Sequence, residues 1–182
     1  GSNKLVAELE GEPIVRRTVR AVLASRARPV IVVTGHEADA VRSALAGLDV
    51  IFVHNPDFAG GMSTSLRAGV AAAGAVDGAL ICLGDMPRLE AAHFETVLDA
   101  YRAGSPEDIV VPTFDRKRGN PVLWPRAYFA EIAALSGDVG ARALLDRHAE
   151  NVRLVAIDDS AILVDVDTPA ALAELRRAGR AD

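Results

Sequence analysis

Short apolar runs alternate with amphipathic stretches along most of this sequence. Runs rich in Val, Ile and Leu that end at Gly, Pro or Asn are typical of buried strands. Stretches with apolar residues every three to four positions are typical of helices that cover a sheet. The predicted strands span residues 30–34, 50–53, 78–83, 109–111, 122–124, 152–157 and 162–164. The predicted helices span residues 13–25, 37–45, 63–73, 90–103, 126–135, 140–149 and 169–178.

The regular alternation of strand and helix predicts one α/β domain. Strands separated by helices pair in parallel, and the helices then cover both faces of the sheet. We expect a single-domain, Rossmann-like three-layer sandwich over residues 1–182, with a mostly parallel sheet and a short antiparallel element. Aromatic residues make up only 4% of the chain, so Ala, Val and Leu must fill its core.

Composition and charge narrow the classes of function. No apolar run is long enough to span a bilayer. Cys82 is the only cysteine, which excludes an intrachain disulfide and fits a reducing cytoplasm. The net charge of −5 argues against a general nucleic-acid-binding protein. We therefore expect a cytoplasmic domain with no nucleic-acid or membrane partner, whose ligand is a small molecule.

The first acidic position of interest follows the apolar run at 78–83. The sequence Leu83-Gly84-Asp85-Met86-Pro87 places the Asp85 carboxylate directly after a predicted buried strand. Ligands of open α/β sheets bind beyond the carboxyl ends of the strands, and an acid there can hold a divalent cation that faces a phosphate group. The same residue type also serves in turns, where it satisfies backbone donors. Both interpretations stay open at this point.

A second acidic position follows the apolar run at 162–164. Asp165 and Asp167 precede a helix that begins at Pro169. Two carboxylates from distant strand ends, Asp85 and one of this pair, would suffice for Mg²⁺, which completes its shell with water and substrate phosphates. Asp167 or Thr168 can alternatively cap the helix.

The segment 55–69 predicts a binding loop that runs into a helix. Gly60 and Gly61 let a ligand approach the backbone closely, while Ser63 or Thr64 can cap the helix. A helix start offers N–H groups to anionic or carbonyl oxygens. An ordinary capped helix is the alternative.

Three further positions carry weaker signals. Lys4, taken alone, is typical of a surface lysine. Asn120 follows a basic turn and can line a pocket floor. In the segment 137–142, Asp138 can cap a helix, and Arg142 can bind phosphate or pair with an acid.

Taken in order, these motifs resemble the molybdenum cofactor cytidylyltransferase family, among the nucleotidyltransferases of the molybdopterin-guanine-dinucleotide type. The matching segments are 3–5, 61–69, 84–87, 119–121, 137–142 and 165–169. The resemblance implies an enzyme that transfers CMP from CTP to molybdopterin and releases pyrophosphate, with Mg²⁺ as cofactor. It also implies a molybdoenzyme or its chaperone as a protein partner.

The resemblance also implies roles for individual residues. Lys4 and Asp85 would be catalytic, and Asp85, Asp165 and Asp167 would hold the metal. The nucleotide-binding residues would be Lys4, Gly61, Met62, Ser63, Ser65, Arg67 and Asp85. The acceptor-binding residues would be Asn120, Asp138 and Arg142.

Two comparisons within the family refine these expectations. The guanylyl branch carries a Gly-Pro-Leu-Ala-Gly type of segment where this sequence has Gly61-Met62-Ser63-Thr64-Ser65, which favours cytidine over guanosine. Family members begin with a strand and a Gly-rich loop before the lysine, and we expect the sequence 1–182 to omit both. The alternatives are an NTP transferase with another base, such as GTP, or another acceptor, and a non-catalytic nucleotide-binding module.

Overall fold

The computed structural model describes residues 3–137 and 140–178. The α-helices are α1 (Ile14–Leu23), α2 (Ala38–Ala44), α3 (Met62–Ala72), α4 (Ala91–Arg102), α5 (Phe129–Ala133), α6 (Arg142–Arg147) and α7 (Pro169–Ala178). The strands are β1 (Glu8–Leu9), β2 (Glu12–Pro13), β3 (Ile31–Thr34), β4 (Ile51–His54), β5 (Gly78–Ile81), β6 (Ile109–Phe114), β7 (Lys117–Arg118), β8 (Val122–Pro125) and β9 (Val152–Ala156). Short 3₁₀ helices span Lys4–Val6, Phe58–Gly60, Arg126–Tyr128, Ala149–Asn151 and Ser160–Leu163.

The larger sheet is mostly parallel in strand direction, with β8 and the short β7 antiparallel, as the sequence predicts. Strands β3 and β4 pair in parallel, from Ile31 opposite Ile51 to Thr34 opposite His54. A second sheet has the order β5-β8-β6-β7, and β9 pairs in parallel with β6. Because β8 is antiparallel to both of its neighbours, β5 and β6 run in the same direction. No hydrogen-bonded pairing joins β3 to β5 within the described residues.

Helices cover both faces of the larger sheet because successive residues of β6 point to opposite sides. Ile109 and Val111 face a cluster that includes Trp124 and residues of α5 and α6. Val110, between them, packs in a different cluster with Val97 of α4. All three β6 residues are fully buried, as expected for a strand covered on both faces. The predicted three-layer α/β fold is confirmed.

Two local predictions differ from the structure. Residues 162–164 are not a strand, since Ser160–Leu163 is a 3₁₀ helix whose start is capped by the Asp159 side chain, which accepts a bond from the Ala161 N–H at 2.8 Å. A short apolar run does not by itself distinguish a strand from a buried helical turn. The β1–β2 hairpin was not predicted. Its two-residue turn has positive φ at Glu10 and Gly11, as type I′ turns require.

None of the helices in the described ranges combines the length and apolarity needed to cross a bilayer.

Candidate active site

Asp85 is held just beyond the carboxyl end of β5 and lies in a largely buried position. Its backbone carbonyl accepts a hydrogen bond from the Val166 N–H at 2.9 Å, which fixes the loop after β5 against the segment before α7. Its Oδ2 atom lies 2.7 Å from Lys4 Nζ. Its Oδ1 atom is buried and has no hydrogen-bond partner within the described residues. The turn interpretation is wrong, because no backbone donor in the described residues binds this carboxylate.

Lys4 joins the two acidic positions. Its Nζ atom lies 2.7 Å from Asp85 Oδ2 and 2.7 Å from Asp167 Oδ1. Burial lowers the pKa of the Lys4 ammonium, but hydrogen bonds to Asp167 and Asp85 outweigh burial and raise this pKa above its ordinary value. The exposed Lys4 is therefore charged at neutral pH and is ion-paired with both acidic positions.

The acidic segment 165–167 is positioned by its central residue. Val166 is buried in a cluster with Leu9 and Ile14, while the acids on either side of it are exposed. The Thr168 hydroxyl accepts a bond from the Ala171 N–H at 3.1 Å and so supplies the capping contact of α7, which leaves Asp167 for Lys4. Of the two acids, Asp167 is therefore the one that the Lys4 ammonium links to Asp85.

Asp165 lies within electrostatic reach of the same cluster. Partial burial, with the negative charges of Asp167 and Asp85 added, raises the pKa of the Asp165 carboxyl. Within the described residues, no group of three or more His, Cys, Asp or Glu side chains has the geometry of a metal site. The candidate metal ligands are thus the Asp85–Asp167 pair, with Asp165 beside it.

Cys82 lies directly after β5, which ends at Ile81, whereas the predicted strand at 78–83 includes Cys82. Burial, together with the nearby Asp85 charge, raises the pKa of its thiol to about 12. The thiol is therefore protonated at neutral pH and behaves as a small core residue, as the sequence predicts.

The loop before α3 is shaped by glycine and by an asparagine that the sequence did not single out. Gly61 has φ of 96° and is the N-cap residue of α3, so the prediction that Ser63 or Thr64 caps this helix is wrong. Asn55 follows β4 and is almost fully buried. Its Nδ2 atom donates to Thr64 Oγ1 at 2.8 Å and to Ser65 Oγ at 3.1 Å. Asn55 lies directly after the apolar run at 50–53, but the sequence does not reveal that it is buried.

The first turn of α3 also contacts Gly137 and Gly140. The Ser63 N–H donates to the Gly137 carbonyl at 3.4 Å, and Ser63 Oγ is buried without a partner in the described residues. A Cβ added at Gly140 would lie 3.1 Å from Met62 Sδ, so the Gly140 backbone lies close to the Met62 side chain. Met62 itself is exposed, whereas Ser63 is fully buried.

The remaining candidate residues are more scattered. Asn120 is half-buried, and its N–H donates to the Ile162 carbonyl at 2.9 Å, which holds its turn against the segment that leads to the acidic pair. Arg67 is exposed and lines a groove of about 480 Å³ between α3 and α5. Arg142 is exposed at the start of α6. Asp138 lies outside the described residues.

The fold and the site together are those of an α/β protein with a candidate ligand site beyond a strand end. A parallel sheet presents one acid beyond a strand end, a lysine joins it to a second acid, and a glycine-bearing loop leads into a helix. These features match the chemistry of binding a nucleoside triphosphate at the carboxyl edge of a sheet.

Comparison with known proteins identifies the family. Residues 1–152 match the family described as MobA-like NTP transferase domain. The chain is 30% identical over 171 residues to nicotine blue oxidoreductase of Paenarthrobacter nicotinovorans. The aligned region covers 91% of this chain and 83% of that protein. It is 25% identical over 173 residues to molybdenum cofactor cytidylyltransferase of Escherichia coli, with 93% of this chain and 84% of that protein covered.

A solved structure agrees. The manganese complex of Rv0371c from Mycobacterium tuberculosis is 28% identical, with a TM-score of 0.81 over 97% of this chain and 93% of that chain. The chain belongs to the MobA-like NTP transferase family, and the family resemblance predicted from short motifs is confirmed.

Proposed function

We propose that this protein transfers CMP from CTP to a molybdopterin cofactor and releases pyrophosphate. The observation that carries the proposal is the contact of Lys4 Nζ with both Asp85 and Asp167, at 2.7 Å each, beyond the end of β5. Such a site offers one positive group and two carboxylates to a triphosphate. The similarity to a molybdenum cofactor cytidylyltransferase over 93% of the chain supports the choice of nucleotide and acceptor.

The reaction needs positioning rather than a covalent enzyme intermediate. A phosphate oxygen of the acceptor attacks the α-phosphorus of CTP, and the bond from that phosphorus to the bridging oxygen of the β-phosphate breaks. Pyrophosphate leaves with the bonding electron pair, and the acceptor gains CMP. Charge neutralisation and alignment of the reacting groups supply the acceleration. In this scheme Lys4 contacts the triphosphate, and Asp85 acts beside it.

A divalent cation fits the residues present. Asp85 and Asp167 have oxygens that already face one shared cationic group, and Asp85 Oδ1 is a buried carboxylate oxygen without a partner in the described residues. Buried polar atoms are rarely left unpaired. Mg²⁺ binds through one or two carboxylates together with substrate phosphates, and when bound it would offset the charge of the triphosphate. Asp165 is the third candidate for this role, and the manganese complex of a family structure supports a divalent ion.

The loop before α3 is proposed to hold the base and ribose of the nucleotide. Gly61 exposes backbone, Ser63 has a buried hydroxyl without a partner in the described residues, and Ser65 is fixed by Asn55. Met62 lies exposed at the same surface. Arg67 follows one turn later on α3. The absence of the guanylyl-type segment here supports cytidine over guanosine.

The acceptor is proposed to lie toward Asn120, Asp138 and Arg142. The Asn120 turn is tied to the segment that precedes the acidic pair, so a ligand on this turn would lie close to the metal side of the site. Gly137 and Gly140 contact the first turn of α3, which supports an acceptor site beside the nucleotide.

Turnover with matched substrates tests the proposal. The protein is incubated with Mg²⁺, molybdopterin cofactor and either CTP or GTP, and pyrophosphate and the nucleotide-linked pterin are measured. We expect product with CTP and at most a small fraction of that rate with GTP. A GTP preference would overturn the assignment of the base. Pyrophosphate release with another phosphorylated acceptor only would overturn the assignment of the acceptor.

A further inference from the structure

We propose that Lys4 is an exchangeable counter-ion of the acidic pair. In the absence of a divalent cation its ammonium group holds Asp85 and Asp167 together, and it releases both carboxylates when a divalent cation binds. The freed ammonium is then available to the triphosphate. The inference rests on the proposed function, because it concerns the metal and the nucleotide of that same site.

The geometry places the ammonium group where a metal ion would have to bind. Lys4 Nζ is 2.7 Å from one oxygen of each carboxylate. A divalent cation such as Mg²⁺ approaches carboxylate oxygens to about 2.1 Å. A metal ion on the same two oxygens would lie close to the ammonium group, and like charges repel at short range. Lys4 and a metal ion held by Asp85 and Asp167 therefore compete for the pair.

The exposure of the side chains around the acidic pair allows a metal ion to replace the Lys4 ammonium group. The side chain of Lys4 is 42% exposed and that of Asp167 is 66% exposed, so the ammonium can move into solvent without crossing packed groups. Asp85 is the buried partner, with its side chain 11% exposed. Its Oδ1 atom has no hydrogen-bond partner in the described residues, so the lysine satisfies only half of this carboxylate.

The presence of lysine rather than arginine at position 4 agrees with exchange of the ammonium group for a metal ion. The chain has 20 lysines and arginines, and only Lys4 and Lys117 are lysine. A guanidinium would bind carboxylates in a rigid two-pronged geometry, whereas an ammonium is a compact charge on a flexible stem. At the one position where a cation joins both acids, the chain therefore has the basic side chain that is more easily displaced.

Metal affinity in the absence of nucleotide tests the exchange. Mn²⁺ binding is measured by electron paramagnetic resonance on the wild type, Lys4→Met, Lys117→Met and Asp85→Asn proteins. Removal of the competing ammonium should tighten Mn²⁺ binding about 2- to 5-fold, which corresponds to the loss of a partly exposed ion pair. Lys117→Met, at an exposed position of β7, should match the wild type, and Asp85→Asn should lose binding. Unchanged or weaker binding by Lys4→Met would overturn the proposal, as would a lack of Mn²⁺ binding by both wild type and Lys4→Met.

A second readout follows the ammonium group directly. With only two lysines, the side-chain ¹H–¹⁵N spectrum of the labelled protein contains two NH₃⁺ signals, and Lys117→Arg assigns them. Addition of Mg²⁺ should shift the Lys4 signal and leave the Lys117 signal in place. A Lys4 signal that stays fixed while Mg²⁺ saturates the Asp85 site would contradict the exchange. Because neither readout uses turnover, a protein that binds metal in this way but fails to transfer CMP would refute the proposed function alone.

Discussion

Asn55 offers the most direct test of how the α3 loop is built. This residue is 3% exposed, and its side chain makes three hydrogen bonds, two of which tie the end of β4 to the start of α3. Its Nδ2 donates to the hydroxyls of Thr64 and Ser65, and its Oδ1 accepts from the Asp57 N–H at 3.0 Å. The substitution Asn55→Ala removes all three bonds while leaving the backbone bond from the Asn55 N–H to Thr34 in place.

The magnitude follows from these contacts. A typical hydrogen bond contributes about 0.5–1.5 kcal/mol to the free energy of unfolding. Thr64 keeps its second bond, since its hydroxyl also donates to the Gly61 carbonyl at 2.8 Å. The expected destabilisation by Asn55→Ala is therefore about 2–3 kcal/mol, toward the middle of the range for three bonds. With an unfolding slope of roughly 1–3 kcal/mol per molar urea, the midpoint should fall by about 0.7–3 M.

Urea unfolding and CTP kinetics are measured side by side. Asn151→Ala is the matched control, because Asn151 donates one hydrogen bond, to the Tyr128 hydroxyl at 2.9 Å. The control should lose about 1 kcal/mol of stability and keep the wild-type KM for CTP. Asn55→Ala should lose more stability and raise the KM for CTP. If Asn55→Ala changes the free energy of unfolding by less than about 0.5 kcal/mol, the reasoning is refuted, because the loss of three buried hydrogen bonds should destabilise the protein by more than that.

Three further predictions concern other parts of the site. Gly35→Ala should lower the thermal midpoint in a calorimetric scan, because the added methyl group would overlap the Phe58 side chain before α3; an unchanged midpoint would contradict this packing. Asp165→Asn should raise the urea midpoint at pH 7, without added metal. Burial and neighbouring acids raise the pKa of this carboxyl, so its ionised form opposes folding above that pKa and the difference should vanish at about pH 3. Cys82 should resist alkylation at pH 8 until the protein unfolds, because burial raises the pKa of its thiol to about 12; rapid reaction of the folded protein would refute this.

The sequence predicts most of the fold because its signals are local. Buried runs such as the one before Asp85 and the helices between them follow from residue spacing within a few positions. The exception at 162–164 shows the limit of such signals. Asp159 caps the next turn, and Ile162 is fully buried in a helical turn rather than a strand, which a short apolar run does not reveal.

The candidate site is predicted less completely because its contacts are distant in sequence. Asp85 could be singled out, since an acid after a buried strand is a local pattern. Lys4, however, meets Asp85 across 81 positions and Asp167 across 163 positions, and no local pattern contains that information. Only the resemblance to a family assigned Lys4 a role. The bonds of Asn55 to the hydroxyls of α3 were missed for a related reason, because the residue itself carries no charge or motif.

The proposed role of Asp85 in metal-dependent nucleotidyl transfer is tested by comparing the wild type with two variants. Pyrophosphate release from CTP with molybdopterin cofactor is measured over a range of Mg²⁺ concentrations for wild type, Asp85→Asn and Asp158→Asn. Asp158 is an exposed acid and serves as the matched control. We expect Asp85→Asn to abolish Mg²⁺-dependent pyrophosphate release while the circular dichroism spectrum of the variant stays native. Asp158→Asn should match the wild type. Wild-type release by a folded Asp85→Asn protein would contradict it.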